Sequence, residues 1–369
     1  MINQEDGALR GGRFLVKKHM RSLEWDIQRK ILRVIDQRVL PAHLQYLELT
    51  NQHEVAHAIS DMIVRGAPAI GVAAAYALAM AGWCSVADSV DALQMHLRTA
   101  ALELQQTRPT AVNLSWAIQR MLNVLENQQG NVTELRQELE AEALHIDEDN
   151  FADCLAISRY GAELILDGDI IIHHCNTGAL AVVEWGTALG VIRMAHEQGK
   201  RVHVLVDETR PRLQGTRLTA WELQQYGIPF EIITDNAAGH FLKSGKANKV
   251  IFGADHVVRN GDLANKVGTY MLALAAHANH IPVISAFPTS SVDLTLENGG
   301  QIQIEERSQD EVLDIQLHGE QITPVGAQAR NPAFDITPHE LISAYVTELG
   351  IIQPPFEANF KKAIANNRS

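Results

Sequence analysis

The chain has 369 residues, 31 of them basic and 44 acidic, for a formal net charge of −13 with neutral histidines, and 46% of it is apolar. At roughly 100 to 200 residues per domain this length implies two domains, and the composition excludes a disordered or fibrous chain. The negative balance argues against nucleic acid as the main partner, although a small anion can still bind where charge is locally positive.

Cys84, Cys154 and Cys175 are odd in number and far apart, which does not build a disulfide framework. Residues 1–20 lack the apolar stretch of a secretory signal. Both features favour a cytoplasmic setting.

In chain order, Ile31 to Leu49 carries β-branched and aromatic residues around Pro41, which predicts a short strand or hairpin. Gly66 to Ala87 has no charge and is long enough to cross a bilayer. It is mostly alanine, broken by Gly66, Pro68, Gly71 and Gly82, so its insertion energy is weak and a buried globular helix is expected, with no membrane contact. From Asp88 to His145, Leu93, Leu97 and Leu102, then Leu114, Ile118, Leu122 and Leu125, recur at helical spacing.

After about Phe151 apolar runs alternate with helical stretches. The strand candidates are Asp169 to His173, Val202 to Val206, Phe230 to Ile233, Lys249 to Phe252 and Pro282 to Ala286. Helices are expected over Val182 to Glu197, Leu218 to Tyr226, Ala237 to Lys243 and Ala264 to Ala278. This alternation is the signature of a parallel α/β sheet. The expected fold class is therefore α/β, with a smaller, mostly helical domain and short sheet over 1–150 and a parallel-sheet domain over 151–369.

In such sheets ligands bind outside the carboxyl ends of the strands. The polar residues just after the strands, among them Cys175, Asn176, Asp207, Glu208 and Asp255, would share that edge. Cys175 is either a buried apolar cysteine or a thiol facing a pocket. Asp255, in Phe-Gly-Ala-Asp-His, is either a cap or a buried carboxyl with a raised pKa and an acid's role. Arg65 precedes Gly66, Ala67 and Pro68 at a helix start, which is either a plain packed helix entry or an anion site built of a guanidinium and free amides.

Arg108, Arg210, Arg212, Arg217 and Lys266 are further basic candidates. His173, His174 and Cys175 are adjacent and lack zinc-ligand spacing, so no metal is expected. There is no Gly-x-Gly-x-x-Gly after a strand, no Gly-Lys-Ser/Thr phosphate loop and no Gly-x-Ser-x-Gly, which removes support for nucleotide cofactors and serine hydrolysis.

Seven segments resemble the methylthioribose-1-phosphate isomerase family of methionine salvage, which is related to the regulatory subunits of a translation-initiation exchange factor. They are Val-Arg-Gly-Ala-Pro-Ala-Ile-Gly (64 to 71), Arg-Pro-Thr-Ala-Val-Asn-Leu (108 to 114), His-Cys-Asn-Thr-Gly-Ala-Leu-Ala (174 to 181), Asp-Glu-Thr-Arg-Pro-Arg-Leu-Gln-Gly (207 to 215), Gly-Ala-Asp (253 to 255), Asn-Gly-Asp-Leu-Ala-Asn-Lys-Val-Gly-Thr (260 to 269) and Asn-Pro-Ala-Phe-Asp-Ile-Thr-Pro (331 to 338). The resemblance implies a Rossmann-like C-terminal domain, a homodimer, a small sugar-phosphate substrate and no metal or nucleotide cofactor. It implies Cys175 as catalytic thiol and Asp255 as proton donor, with Arg65, Gly66, Ala67, Arg108, Gln214, Asn265 and Lys266 binding substrate.

Three features depart from the family pattern: about 20 residues precede Met20, Ala237 stands where Met is common, and His256 where Arg is common. The Ala237 change carries an expectation that the pocket around the sugar's 5-substituent is altered, which admits 5-deoxyribose 1-phosphate as substrate. Ribose-1,5-bisphosphate isomerase and a non-catalytic, sugar-phosphate-sensing regulatory module are the other related readings.

Overall fold

The computed structural model describes residues 20–127 and 130–367. The extension before Met20, and the reading that it carries no secretory signal, lie outside the described residues. The chain begins with β1 (Leu23–Asp26), β2 (Ile31–Ile35) and β3 (Tyr46–Leu49), which form an antiparallel sheet in that order. The expected hairpin is β2 and β3; β1 was not read from the sequence.

Five helices follow: α1 (Gln52–Ser60), α2 (Ala67–Cys84), α3 (Val90–Thr107), α4 (Val112–Asn127) and α5 (Val132–Ala162). A helix apolar on every side is stable only when surrounded. α2 meets the length and composition of a membrane span, yet 78% of it is buried inside the protein, packed against α1, α3, α4 and α5. Ser89 caps α3 by accepting from Ala92 N–H, and Asn131 with Glu134 forms a capping box that starts α5. α5 runs unbroken through residue 150. Its first half joins the core around α2, and Ile157 and Ala162 join the core of the larger sheet.

The larger sheet then builds up as β4 (Ile170–His173), α6 (Ala188–Glu197), β5 (His203–Asp207), α7 (Ala220–Tyr226), β6 (Phe230–Ile233), α8 (Ala238–Lys243) and β7 (Lys249–Phe252). Next come β8 (His256–Val258), β9 (Leu263–Lys266), α9 (Thr269–Ala278), β10 (Val283–Ala286) and β11 (Val292–Asp293). The chain ends with α10 (Asp310–Leu313), β12 (Gln316–Leu317), β13 (Glu320–Gln321), β14 (Phe334–Thr337), β15 (Ala344–Thr347), β16 (Gly350–Ile352) and α11 (Phe356–Asn367).

Seven strands lie in the order β16-β15-β10-β7-β4-β5-β6, parallel except for β16. Alternation along each strand explains why both faces are covered. Ile171, Val204, Val206 and Ile251 face α5, α6 and α7, while Ile172, Leu205, Val250 and Phe252 face α8 and α9. The protein is thus an α/β fold with a helical N-terminal part and a parallel-sheet C-terminal part.

A second sheet, β11-β8-β9-β14, rises beside the carboxyl edge. It corrects one expectation: Ala264, Asn265 and Lys266 belong to β9, not to the start of a helix. Pairing to β8 and β14 on both sides fixes them as strand, and α9 begins only after Gly268, at φ 105°. Likewise, residues 182–187 are a loop, closed by a bridge between Gly178 and Gly186, and α6 starts at Ala188.

Phe360 of α11 is fully buried against Tyr345 and Phe287, with ring centroids 5.3 and 6.4 Å away. Phe287 also lines the cavity described below. Phe360→Ala should cost about 3–5 kcal/mol of stability, read as a lower urea midpoint; an unchanged midpoint would deny that this cluster anchors the cavity wall.

Candidate active site

Strands β4, β5 and β6 step outward in one direction, while β7, β10 and β15 step outward in the other, so the strand order reverses between β4 and β7. A reversal leaves a crevice at the carboxyl edge. Cys175 follows β4, Asp255 follows β7, and both open into one cavity there. Arg65, Gly66, Ala67, Arg108, Gln214, Asn265 and Lys266 line the same cavity. Residues drawn from 65 to 266 in the sequence therefore converge on one space, whose volume of about 110 Å³ holds several water-sized groups.

Cys175 adopts φ 67°, an uncommon conformation for a non-glycine residue. Threonines on two neighbouring segments hold it there: Thr209 Oγ1 accepts from Cys175 N–H at 2.9 Å, and Thr219 Oγ1 donates to its carbonyl at 2.7 Å. Burial pushes the thiol pKa up, against the pull of Arg65 and Lys266. Asp255 shows the same balance. Its carboxyl makes no hydrogen bond among the described residues, and burial raises its pKa despite Lys266, Arg108 and Arg65.

Arg65 donates to Asn176 Oδ1 at 2.7 Å and to Asn176 O at 3.0 Å, which ties the entry of α2 to the turn after β4. Asn176 in turn donates to Glu222 Oε1 at 2.8 Å. Glu222 is a buried carboxyl that also accepts from Ala179 N–H and Tyr226 Oη. Gly66 has φ 101°, and a Cβ there would lie 2.3 Å from Ala181 O, so only glycine fits this close approach. Among the first three positions of α2, Pro68 has no N–H and Ala69 N–H donates to Ala181 O; the Ala67 N–H is the one left for an anion.

Lys266 donates to Ala333 O at 2.6 Å and lies 4.6 Å over the Phe334 ring, which leaves two of its three donors open. Arg108 donates to Glu305 at 3.1 Å, while its Nε and Gln214 Oε1 are buried without partners among the described residues. Unmade hydrogen bonds of this kind each cost about 1–3 kcal/mol, and a polar ligand would satisfy them. The cavity is thus cationic inside an acidic chain.

Other candidates fall elsewhere. Arg217 donates to Leu40 O, Gln37 O and Arg38 O, Arg210 to Val312 O, and Arg212 to Glu311, so these three brace loops and do not line the cavity. Ala237, where an altered pocket around the sugar's 5-substituent was expected, packs against the core under α8 and α9 and is not among the residues that line the cavity.

His174, Asp207 and Asp235 have metal-ligating chemistry, but their polar atoms are mostly in use. His174 Nδ1 meets Asp207 Oδ2 at 2.9 Å and Nε2 meets Val267 O at 3.0 Å, while Asp235 accepts from Thr209 N–H and Arg210 N–H. Burial alone would depress the His174 pKa, yet Asp207 more than offsets it and raises it, and the ring links the β4 exit to the β9 exit.

Sequence reasoning missed Arg307, Ile302 and Ile304, which come from an irregular loop, and Phe334 from a strand with no turn signal. It also missed Glu222. A lone acid on the buried face of an apolar helix was the available sign.

Because the folded pKa of Asp255 lies above its unfolded value, its native state is favoured below about pH 4 and loses stability as pH rises through the raised value. Asp255→Asn cannot ionise. It should melt at a higher temperature than wild type at pH 7, with the gap closing near pH ~4; a lower melting temperature at pH 7 would mean an ionised carboxylate paired with its cations.

The profile of the Initiation factor 2 subunit family matches residues 63–354. A methylthioribose-1-phosphate isomerase from Acetivibrio thermocellus is 49% identical over 90% of this chain and 97% of its own length. Among solved structures, 5-methylthioribose 1-phosphate isomerase from Pyrococcus horikoshii superposes with a TM-score of 0.86 at 40% identity, covering 95% of this chain and 97% of that one. The protein titled translation initiation factor eIF-2B subunit delta from A. fulgidus superposes with a TM-score of 0.81 at 42% identity, covering 94% and 99%. By sequence and by fold, the chain belongs to the Initiation factor 2 subunit family.

Proposed function

We propose that this protein is an aldose–ketose isomerase that converts 5-methylthioribose 1-phosphate to 5-methylthioribulose 1-phosphate, the step its isomerase relatives serve in methionine salvage. One observation carries the reading: a thiol and a carboxyl, each with its pKa raised by burial, open into one cavity that also holds Arg65, Arg108 and Lys266.

The chemistry needs such a pair. Phosphate on the anomeric oxygen blocks simple opening to an aldehyde, so the ring must open by protonation of its own oxygen. Asp255, kept neutral by burial, donates that proton and the bond from C1 to the ring oxygen breaks. The hydrogen on C2 then moves to C1, and the C2 hydroxyl returns a proton to Asp255 as the ketone forms. Cys175 beside this centre either carries the hydrogen as a proton through an enol, which requires it to act as the thiolate that Arg65 and Lys266 favour, or stabilises charge while it moves as a hydride. Arg65, the Ala67 N–H and the remaining cations would hold the phosphate through charge-assisted bonds. Gln214 and Asn265 would hold sugar oxygens.

Two related readings lose support. A second phosphate would need an unpaired cation, and the fourth cavity cation, Arg307, is already tied to Glu311 and faces Glu305 at 3.9 Å. A sensing module would not need a thiol and an acid turned into one cavity. The reading extends to a cytoplasmic homodimer of two-part subunits divided near residue 150, which size-exclusion chromatography and limited proteolysis can check.

Incubation with 5-methylthioribose 1-phosphate should yield ketose, and Cys175→Ala and Asp255→Asn should each reduce kcat by at least about 100-fold. Wild-type kcat/KM should fall on the alkaline side as Asp255 ionises, at a pH above the ordinary carboxylate range. Absent turnover, or undiminished turnover in Asp255→Asn, would overturn the assignment.

A further inference from the structure

His256 is a cavity residue that this mechanism leaves unused. It opens β8 and stands opposite Ala264 across the β8–β9 pair, and both line the cavity. Its Nε2 is sealed from solvent, 3.6 Å from Asp293 Oδ2, with no hydrogen bond made. Its Nδ1 also makes no hydrogen bond among the described residues, but it is not a sealed atom, and the cavity is the space the residue opens onto. Asp293 is itself held in place by Thr295, whose N–H and Oγ1 donate to its Oδ1 at 2.8 and 2.5 Å.

The Asp293 carboxylate, 3.6 Å from Nε2, favours the proton on that nitrogen by its charge. Burial lowers the ring's pKa against the pull of Asp293, which favours the neutral form. A neutral ring protonated at Nε2 offers a lone pair at Nδ1, an acceptor suited to an O–H donor and unsuited to an anion. We propose that His256, oriented by Asp293, is a substrate-binding residue that accepts a hydrogen bond from a hydroxyl of the bound sugar. This rests on the sugar-phosphate reading above, and it adds to the cationic phosphate anchors a neutral group that senses the sugar itself.

The test uses the full chain with 5-methylthioribose 1-phosphate. His256→Ala, and His256→Phe as a variant that keeps the ring's bulk, should raise KM about fivefold to tenfold while kcat falls by no more than about threefold, the loss expected for one hydrogen bond in binding. Asp293→Asn should shift KM in the same direction by a smaller factor. The 2-deoxy and 3-deoxy analogues, measured as inhibitors, identify the hydroxyl: one of them should bind wild type about fivefold to tenfold more weakly than its hydroxylated counterpart, a difference absent in His256→Ala. Unchanged KM in both His256 variants, or equal discrimination in wild type and His256→Ala, would overturn the role of His256 while leaving the isomerase intact. A wild type without turnover would instead overturn the isomerase.

Discussion

Desolvation is the force on which the rest of this structure depends. At the strand reversal between β4 and β7 the protein withdraws a thiol and a carboxyl from water beside Arg65, Arg108 and Lys266. Burial and the cations pull each pKa in opposite directions, and for both Cys175 and Asp255 burial prevails. The cations feel the reverse: burial lowers the pKa of Arg65 and of Lys266, while Cys175 and Asp255 pull both back up. A cluster of this kind is unstable in isolation and persists because the surrounding fold holds it.

What holds it is a set of polar ties between segments remote in sequence. Cys175 is kept at positive φ by Thr209 and Thr219, Asn176 joins Arg65 to Glu222, and the His174 ring joins Asp207 to Val267. Each tie connects a strand exit to a loop or helix entry, so the site's geometry is set by the sheet edge and by the entry of α2, the most deeply buried helix of the N-terminal part. Placement on such rigid elements keeps reactive groups within the small tolerances that catalysis demands.

Much of this was legible in the residues. Five of the six parallel strands announce themselves as short apolar runs because both of their faces are covered, and Cys175 and Asp255 stand out because each follows such a run. The α2 segment reads as buried because its apolar residues are small. Less was readable where tertiary pairing decides the conformation: Ala264 to Lys266 has no strong strand pattern and becomes β9 only through its two partners, β8 and β14. Arg307 and the Ile302 to Ile304 segment were invisible because an irregular loop has no periodicity to read.

The central claim is that the Asp255 carboxyl is neutral in the folded protein at physiological pH. Carbon-13 NMR of protein labelled at aspartate carboxyls, with Asp255→Asn used to identify the signal, measures this directly. A carboxyl held neutral by burial titrates above the ordinary carboxylate value of about 4, with the protonated signal persisting at neutral pH. A carboxylate signal that titrates at or below that value would contradict it.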